Sequence, residues 1–468
     1  MSLRVYNSLT RQKELFVPLS PGAVRMYVCG VTVYDAAHVG HARSALVFDV
    51  VRRYLVFCGY RVRFVKNFTD VDDRIIERAA VLGVSPQEFA ERYIATYRRD
   101  MADLGVEPPD VEPKATEHIP QMIALIERLL AADVAYVLDG DVYFEVRRFP
   151  AYGRLSGRDL DALRAGARVE VDERKRDPLD FALWKAAKPG EAQWPSPWGS
   201  GRPGWHIECS AMSMHYLGRS FDVHGGGEDL LFPHHENEIA QSEAATGVPF
   251  VRYWVHNGFV NLAAEKMSKS LGNVLTIEEV VRRHEPDAIR LALLGAHYRH
   301  PLEISDARLE EAARSLGRFR GLFDAVGEGG AGGVPDAVRS AAEAAEARFG
   351  EAMDDDFNTP QALAALFDLT RTLQAIRAEA GAAAVAPGVE VLRRLGGVLG
   401  LFVFAGPEVP PELRAEIDRL VQTRAEARAR RRWAEADAIR ARLTALGVTV
   451  EDTPAGTTWK WRPRPASP

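Results

Sequence analysis

At 468 residues the chain exceeds what one hydrophobic core usually supports, so roughly two to four domains are expected. An apolar fraction of 47% and a charged fraction of 26% are those of an ordinary globular protein, and a formal net charge of -6 argues against a general polyanion binder while leaving room for a local nucleic-acid surface. Three widely spaced cysteines, Cys29, Cys58 and Cys209, exclude a disulfide framework and form no C-x-x-C pair.

No apolar run of about eighteen residues occurs, and MSLRVYNSLTRQKELF is polar where a signal peptide needs an apolar core, so a cytoplasmic protein without a membrane segment is expected. Val24 to Val28 reads as a buried strand ending at Cys29-Gly30. His38 through Tyr54 reads as a helix with Ala45, Leu46, Phe48, Val50 and Val51 on its apolar side, and Tyr60 to Lys66 as a second strand. Strand, loop and helix N-terminus make the first unit of a Rossmann-like α/β fold with a parallel sheet.

Residues from about 110 to 200 change texture: a helix over 118–132, a strand at Val142-Tyr143-Phe144, and the Pro/Trp-rich WPSPWGSGRPGW. This reads as an insertion. The sheet resumes at Phe221-Asp222-Val223-His224, followed by a Gly225-Gly226-Gly227 turn, a helix from about Pro233 to Ala245 and a short strand at Trp254-Val255. Beyond about residue 300 the pattern is helical, with breaks at GEGGAGG, GAAAVAPG and AGPEVPP. Thr359-Pro360 reads as a helix start, with Thr359 as the cap and Leu363, Leu366, Phe367 and Leu373 on one stripe. The division expected is a catalytic domain over 1–110 and 200–300, a connective insertion over 111–199, a helical bundle over 301–400 and a small domain over 401–468.

Two motifs carry chemistry. In HVGH, His38 and His41 flank Gly40 and open a helix, where one turn places both rings and the backbone N–H groups on one face, suited to charge developing on a phosphate. In KMSKS, Lys266 and Lys269 on a Ser-rich turn suit the outer phosphates of ATP. Singly, the first could be a helix start with one packed and one solvated histidine, and the second a basic surface loop. Together, in this order, they make a clamp on a polyphosphate. Triple glycine at a strand end suits close backbone approach to a ligand, and an acidic residue beside it, Asp229, can accept from ribose hydroxyls. Cys58 in VFCGY reads as packing.

The segment from Arg424 to Arg442 holds seven arginines against Glu426, Glu435 and Asp437. It reads either as a salt-bridged solvated helix or, because Trp433 interrupts it and Trp459-Lys460-Trp461-Arg462 follows, as a surface for unstacked RNA bases.

HVGH, KMSKS and the α/β order resemble the class I aminoacyl-tRNA synthetases. The strings MYVCGVTVYDAAHVGHAR, FTDVDDRII, GRPGWHIECSAMS, DVHGGGEDLLFPHHENEIAQSEA, KMSKSLGN, DDDFNTP and EDTPAGT resemble the cysteinyl-tRNA synthetases, over about residues 3 to 461. The resemblance implies activation of L-cysteine with MgATP, transfer to tRNA(Cys), a C-terminal anticodon-binding domain and a monomer. It implies one Zn2+ held by Cys29, Cys209, His234 and Glu238, a metal able to tell thiolate from hydroxyl where a shape-only pocket gains about 1–3 kcal/mol. From the residues alone, Cys29 could be a small buried residue and Glu238 part of a solvated helix face.

The resemblance also implies that Gly227 and Asp229 lie near the ribose, that Lys269 assisted by Lys266 neutralises departing pyrophosphate, and that Arg428, Trp433 and Asp437 touch the anticodon. Trp205, His206 and His224 are expected to converge on the cysteine pocket, with packing as the bland alternative. Departures from the family strings, such as Val39 and Arg74, remove no required group. A cysteine ligase of mycothiol biosynthesis shares this core but lacks the C-terminal domain, and an inactive RNA-binding paralogue would need no phosphate clamp. An insertion of about ninety residues is too short for an editing domain.

Overall fold

A computed structural model describes residues 3–158, 174–188, 191–262, 265–266, 275–326, 335–402, 411–430, 432–446, 448–453 and 456–461. The chain forms two compact units, Met1–Leu401 and Phe402–Pro468.

In the first unit an antiparallel hairpin, β1 (Arg4–Asn7) and β2 (Gln12–Leu15), precedes β3 (Ala23–Thr32), helix α1 (Val39–Phe57) and β4 (Arg61–Thr69). Helices α2 (Asp73–Leu82), α3 (Pro86–Asp103) and α4 (Ile119–Ala131) follow. Strands β5 (Ala135–Leu138), β6 (Asp141–Phe144), β7 (Phe181–Ala186) and β8 (Gly201–Pro203) form a separate antiparallel sheet within the expected insertion. The chain returns through α5 (Trp205–Leu217) to β9 (Phe221–Gly227), α6 (Glu236–Thr246) and β10 (Val251–Asn257).

Strands β4, β3, β9 and β10 lie side by side in that order, all parallel. Chain order reverses between β3 and β9, and the crevice beyond the carboxyl ends of strands at such a switch point is where α/β sheets bind ligands. A small sheet then forms from β11 (Val260–Leu262), β12 (Glu265–Lys266) and β13 (Leu302–Ile304), with α7 (Ile277–Arg283) and α8 (Pro286–Leu294) between the last two strands. Helices α9 (Asp306–Val326), α10 (Asp336–Asp354), α11 (Thr359–Ala380) and α12 (Ala382–Val398) complete the unit.

Four sequence expectations are corrected. First, β3 does not stop at Cys29-Gly30. It continues to Thr32 across a bulge: Val28 pairs with Lys66 and Val31 with Phe68, so Cys29-Gly30 carries one residue more than β4 opposite. A bulge re-aims side chains, which is how Cys29 turns toward the crevice. Gly30 is required there, because a Cβ would lie 1.5 Å from the Asn67 carbonyl oxygen. Second, Gly225-Gly226-Gly227 is strand, paired with Val255, His256 and Asn257, and not a turn. A Cβ on Gly225 would sit 2.2 Å from the Phe48 ring, so the glycines let α1 and its partners press on the sheet.

Third, GAAAVAPG is not a break. Only Gly381, at φ 86°, ends α11, and α12 starts at once with Pro387 inside it. Fourth, the cap of α11 is Asn358, whose side chain accepts from the Gln361 N–H, while the Thr359 hydroxyl donates to the Leu294 carbonyl. GEGGAGG and AGPEVPP lie outside the described residues.

Two buried arginines fasten α1. Arg290 of α8 pairs with Asp49 at 2.6 Å, both fully buried, and losing one partner of such a pair costs about 3–5 kcal/mol. Arg43, two residues past His41, donates to the carbonyls of Phe259 (2.7 Å), His297 (3.2 Å) and His300 (2.5 Å). The segment leading into β11 is thereby tied to the start of the histidine helix.

The second unit contains α13 (Pro411–Ala429), α14 (Trp433–Ala445) and an antiparallel hairpin, β14 (Val448–Thr453) and β15 (Gly456–Trp461), over a core of Ile417, Leu420, Val421, Leu443, Val448 and Val450. The arginine-rich stretch is therefore two helices and not one. No described helix is long and apolar enough to cross a membrane.

Candidate active site and metal centre

Cys29 on the β3 bulge, Cys209 in the middle of α5, His234 in the turn before α6 and Glu238 in its first turn come together with ligand atoms all within 4.8 Å of one another. The Cys29 and Cys209 sulfurs are 3.6 Å apart, Cys29 Sγ is 3.3 Å from Glu238 Oε1, and His234 Nε2 is 3.1 Å from the same oxygen. All four residues are buried. Polar groups gathered this way away from water are costly unless something charged completes them.

The electrostatics point the same way. The hydrogen bond from Cys29 and the nearby His234 bring the Cys209 thiol down to about 6 against its burial, while burial pushes the Cys29 thiol well up. Burial would also lift Glu238, but the charge and hydrogen bond of His224, with a further bond to His234, hold it at about 2. Burial works against protonation of His234, yet its bonds to Cys209 and Glu238 raise it to about 10. Two anionic ligands and a protonated imidazole are what a dication displaces and neutralises.

A second grouping, Cys29, His224, His235 and Glu238, also satisfies the distance test. Its histidines are engaged as supports. His224 Nε2 meets Glu238 Oε2 at 2.9 Å, leaving Oε1 toward the cysteines, and His235 Nδ1 meets His256 Nε2 at 2.8 Å, with Ser8 Oγ a further 2.8 Å from His256 Nδ1. Groups behind the ligands fix their orientation and affinity.

Cys29, Trp205, His38, Gly40, His41, Gly227 and Asp229 line one cleft. Trp205, 40% exposed, stacks on His234 of the cluster with ring centroids 4.4 Å apart. His206 and His224 take other places than the cleft wall. His206 Nδ1 lies 2.9 Å from His234 Nδ1, and His224 is buried behind Glu238, stacked on Trp254 at 4.5 Å. Both act on the cleft through the ligands they touch.

At the other end, the His38 and His41 rings stack 3.8 Å apart. His38 caps α1: its Nδ1 accepts from the Gly40 N–H at 3.1 Å, and His41 Nδ1 accepts from the His38 N–H at 3.3 Å. The Val39 N–H donates to the Leu275 carbonyl at 3.0 Å. The N–H groups of residues 38 to 40 are thus taken within the protein, contrary to the sequence expectation. With Nδ1 of each ring accepting, the network assigns the proton to Nε2.

Lys266 ends β12, its backbone paired with Asn261; its side chain and Lys269 lie outside the described residues. The chain on both sides of KMSKS is located, however. Val260 lines the cleft, and His38 bridges Thr276.

Asn67 was not anticipated. Its Oδ1 accepts from the Gly30 N–H at 2.9 Å and lies 3.7 Å from Cys209 Sγ, holding the bulge against the cluster. A buried amide in the middle of a strand was the available signal. In the second unit Arg428 sits 5.8 Å from the centroid of Trp433, which is 56% exposed, and Asp437 is exposed one turn further along α14. Arg424, of the same basic stretch, is buried.

A parallel sheet with a crevice at its switch point, a histidine-capped helix and a cation-ready cluster define a class I synthetase type of nucleotide-binding protein. In agreement, the chain is similar in fold to a Mycobacterium tuberculosis methionyl-tRNA synthetase in complex with methionyl-adenylate (TM-score 0.60, 17% identity, 81% of this chain and 90% of that one). It is equally similar to an Agrobacterium radiobacter LeuRS (TM-score 0.60, 14% identity, 82% and 84%).

Residues 15–314 match the family described as tRNA synthetases class I (C) catalytic domain, residues 348–403 the DALR domain, and residues 410–462 the cysteinyl-tRNA ligase anticodon binding domain. The chain is 53% identical to the cysteine–tRNA ligase of Geobacter sulfurreducens (98% of this chain, 100% of that protein) and 56% identical to that of Alkalilimnicola ehrlichii (98% and 99%). The chain belongs to the cysteine–tRNA ligase family.

Proposed function

We propose that the chain activates L-cysteine with MgATP to cysteinyl-adenylate and transfers the cysteinyl group to the 3′ end of tRNA(Cys), with Zn2+ in the Cys29, Cys209, His234 and Glu238 cluster. The observation that carries this reading is that the buried cluster and the stacked histidines open into a single cleft. A tetrahedral zinc with bonds of roughly 2.3 Å to sulfur and about 2.0–2.1 Å to nitrogen or oxygen calls for separations of roughly 3.8 Å between sulfurs, about 3.5 Å from sulfur to oxygen and about 3.4 Å from nitrogen to oxygen. The separations of 3.6, 3.3 and 3.1 Å fit that size.

Bound there, zinc would take the substrate as thiolate, a distinction a hydroxyl cannot imitate. The chain's own residues do the rest. Trp205 closes over the small side chain, and Gly227 and Asp229 receive the ribose. The cysteine carboxylate then lies in line with the α-phosphorus: the new C–O–P bond forms as the bond to pyrophosphate breaks. His38 and His41 donate through Nε2 to the charge growing on the α-phosphate, and Lys266 and Lys269 stabilise the departing pyrophosphate. A terminal ribose hydroxyl of the tRNA then attacks the adenylate carbonyl and AMP leaves. The C-terminal unit, with Arg428, Trp433 and Asp437, reads the anticodon, and the match over residues 410–462 favours tRNA over an amino sugar as acceptor.

Cysteine-dependent ATP–pyrophosphate exchange tests the first step. A shape-only pocket separates near-isosteres by at most about 200-fold, so cysteine over serine well beyond that figure, lost on chelation, is the expected result. Weak discrimination that survives metal removal overturns the zinc reading. Charging of tRNA(Cys) and not of an amino sugar fixes the acceptor.

A further inference from the structure

One flank of the cleft serves neither the metal cluster nor the histidines. Tyr34, Lys66, Arg74 and Tyr97 line it. Lys66 Nζ donates to the Tyr97 hydroxyl at 2.7 Å and lies 5.3 Å from that ring's centroid, and among the described residues it has no carboxylate partner. It is an uncompensated cation facing a cleft. In the same cleft the Arg74 guanidinium carbon lies 4.1 Å from the Tyr34 centroid, with Arg78 at 5.3 Å from the same ring. Arg74 is held by a fork to Asp72, Nε to Oδ1 at 2.7 Å and Nη2 to Oδ2 at 3.3 Å, and its side chain is 48% exposed.

A two-point grip on a carboxylate fixes the plane of a guanidinium, and an oriented guanidinium over an aromatic ring forms a ready platform for a planar base. A lone ammonium lining the same cleft suits the phosphodiester of a nucleotide bound there. The ribose and phosphates of ATP are assigned elsewhere in the cleft, to Gly227, Asp229, the two histidines and the KMSKS lysines, and the KM for ATP tells whether its base uses this flank.

We propose that Tyr34, Arg74 and Lys66 form the subsite for the terminal nucleotide of an RNA acceptor strand, Lys66 meeting its phosphate and the Tyr34–Arg74 pair its unpaired base. The inference rests on the reading of the chain as a tRNA-charging enzyme and adds where the acceptor end is seated. It predicts that these side chains serve the second step and not the first.

The test uses the full chain with its metal and the variants Tyr34→Leu, Arg74→Leu and Lys66→Met, with Tyr34→Phe as the conservative control. ATP–pyrophosphate exchange with cysteine is measured first and doubles as a check of folding. Single-turnover transfer from the enzyme-bound adenylate to tRNA(Cys) follows, along with binding of tRNA(Cys) with and without its terminal nucleotide. Exchange is expected to stay within about twofold of wild type while transfer falls about tenfold or more in the first three variants, as loss of one base stack implies, and Tyr34→Phe restores it. Wild type should prefer the complete tRNA, and the variants should lose that preference. A rise in the KM for ATP matching the loss of transfer overturns the proposal by giving the flank to the nucleotide, and unchanged transfer overturns it outright. Wild-type enzyme that exchanges but charges no tRNA overturns the parent reading together with this one.

Discussion

The buried Cys–His–Glu cluster in the first unit and the arginine–tryptophan face of the second both gather polar side chains, in opposite surroundings. Cys29, Cys209, His234 and Glu238 are buried, and each is oriented by a neighbour such as His224, His206 or Asn67. Arg428, Trp433 and Asp437 stand on the outside of a unit whose core is six aliphatic residues. Under the proposed function the contrast follows from what each would do. Reading a thiol and stabilising charge need a dry, fixed set of groups, since water would blunt both. Reading an RNA loop needs accessible planes and charges that bases and phosphates can reach.

Breaking the buried side should give the largest effect. Cys209→Ser is expected to lose the bound metal and to lower cysteine-dependent exchange by at least about 100-fold, more than removal of a mere supporting group would cost. Metal content by atomic emission and the exchange rate check this together, and full activity without metal would dissolve the contrast. Next is His41→Ala, for which kcat for exchange should fall about 100- to 1000-fold, the usual loss when one oriented donor to developing charge is removed, while metal content stays at wild type. Metal loss in this variant would mean that the two ends of the cleft are not separate. The smallest effect is expected on the exposed side. Trp433→Ala should weaken tRNA(Cys) binding by about 1–3 kcal/mol, read as a rise in KM for tRNA, with exchange unchanged. An unaltered KM would reduce the face to a solvated helix surface.

Much of the site was legible because the chemistry is concentrated in short strings. HVGH and KMSKS implied a phosphate clamp without any fold, and the α/β order placed the first at a helix start, as found. The four residues of the candidate metal cluster were legible only through family resemblance: Cys29 and Cys209 are 180 residues apart, and no local spacing joins them. The errors have a common cause. The triple glycine was read as a turn because glycine tolerates turns, yet the same missing Cβ makes room for Phe48 against a strand. GAAAVAPG was read as a break by composition, and the break is confined to Gly381, the rest of the string being the start of the next helix. His206 and His224, expected to converge on the cysteine pocket or else to pack, contact His234 and Glu238 of the cluster.

By itself the sequence determined the α/β plan, the position of the phosphate motifs and the basic, aromatic character of the C-terminal stretch, since periodicity, charge and short-range capping are encoded within a few residues. Only the tertiary structure decided that Cys29 sits on a bulge of its strand, that the N–H groups of residues 38 to 40 are already taken, and that Lys66, Arg74 and Tyr34 share a cleft with the histidines. Those are long-range matters, settled by which surfaces pack and which polar groups must then find partners, and neither is written in any single segment.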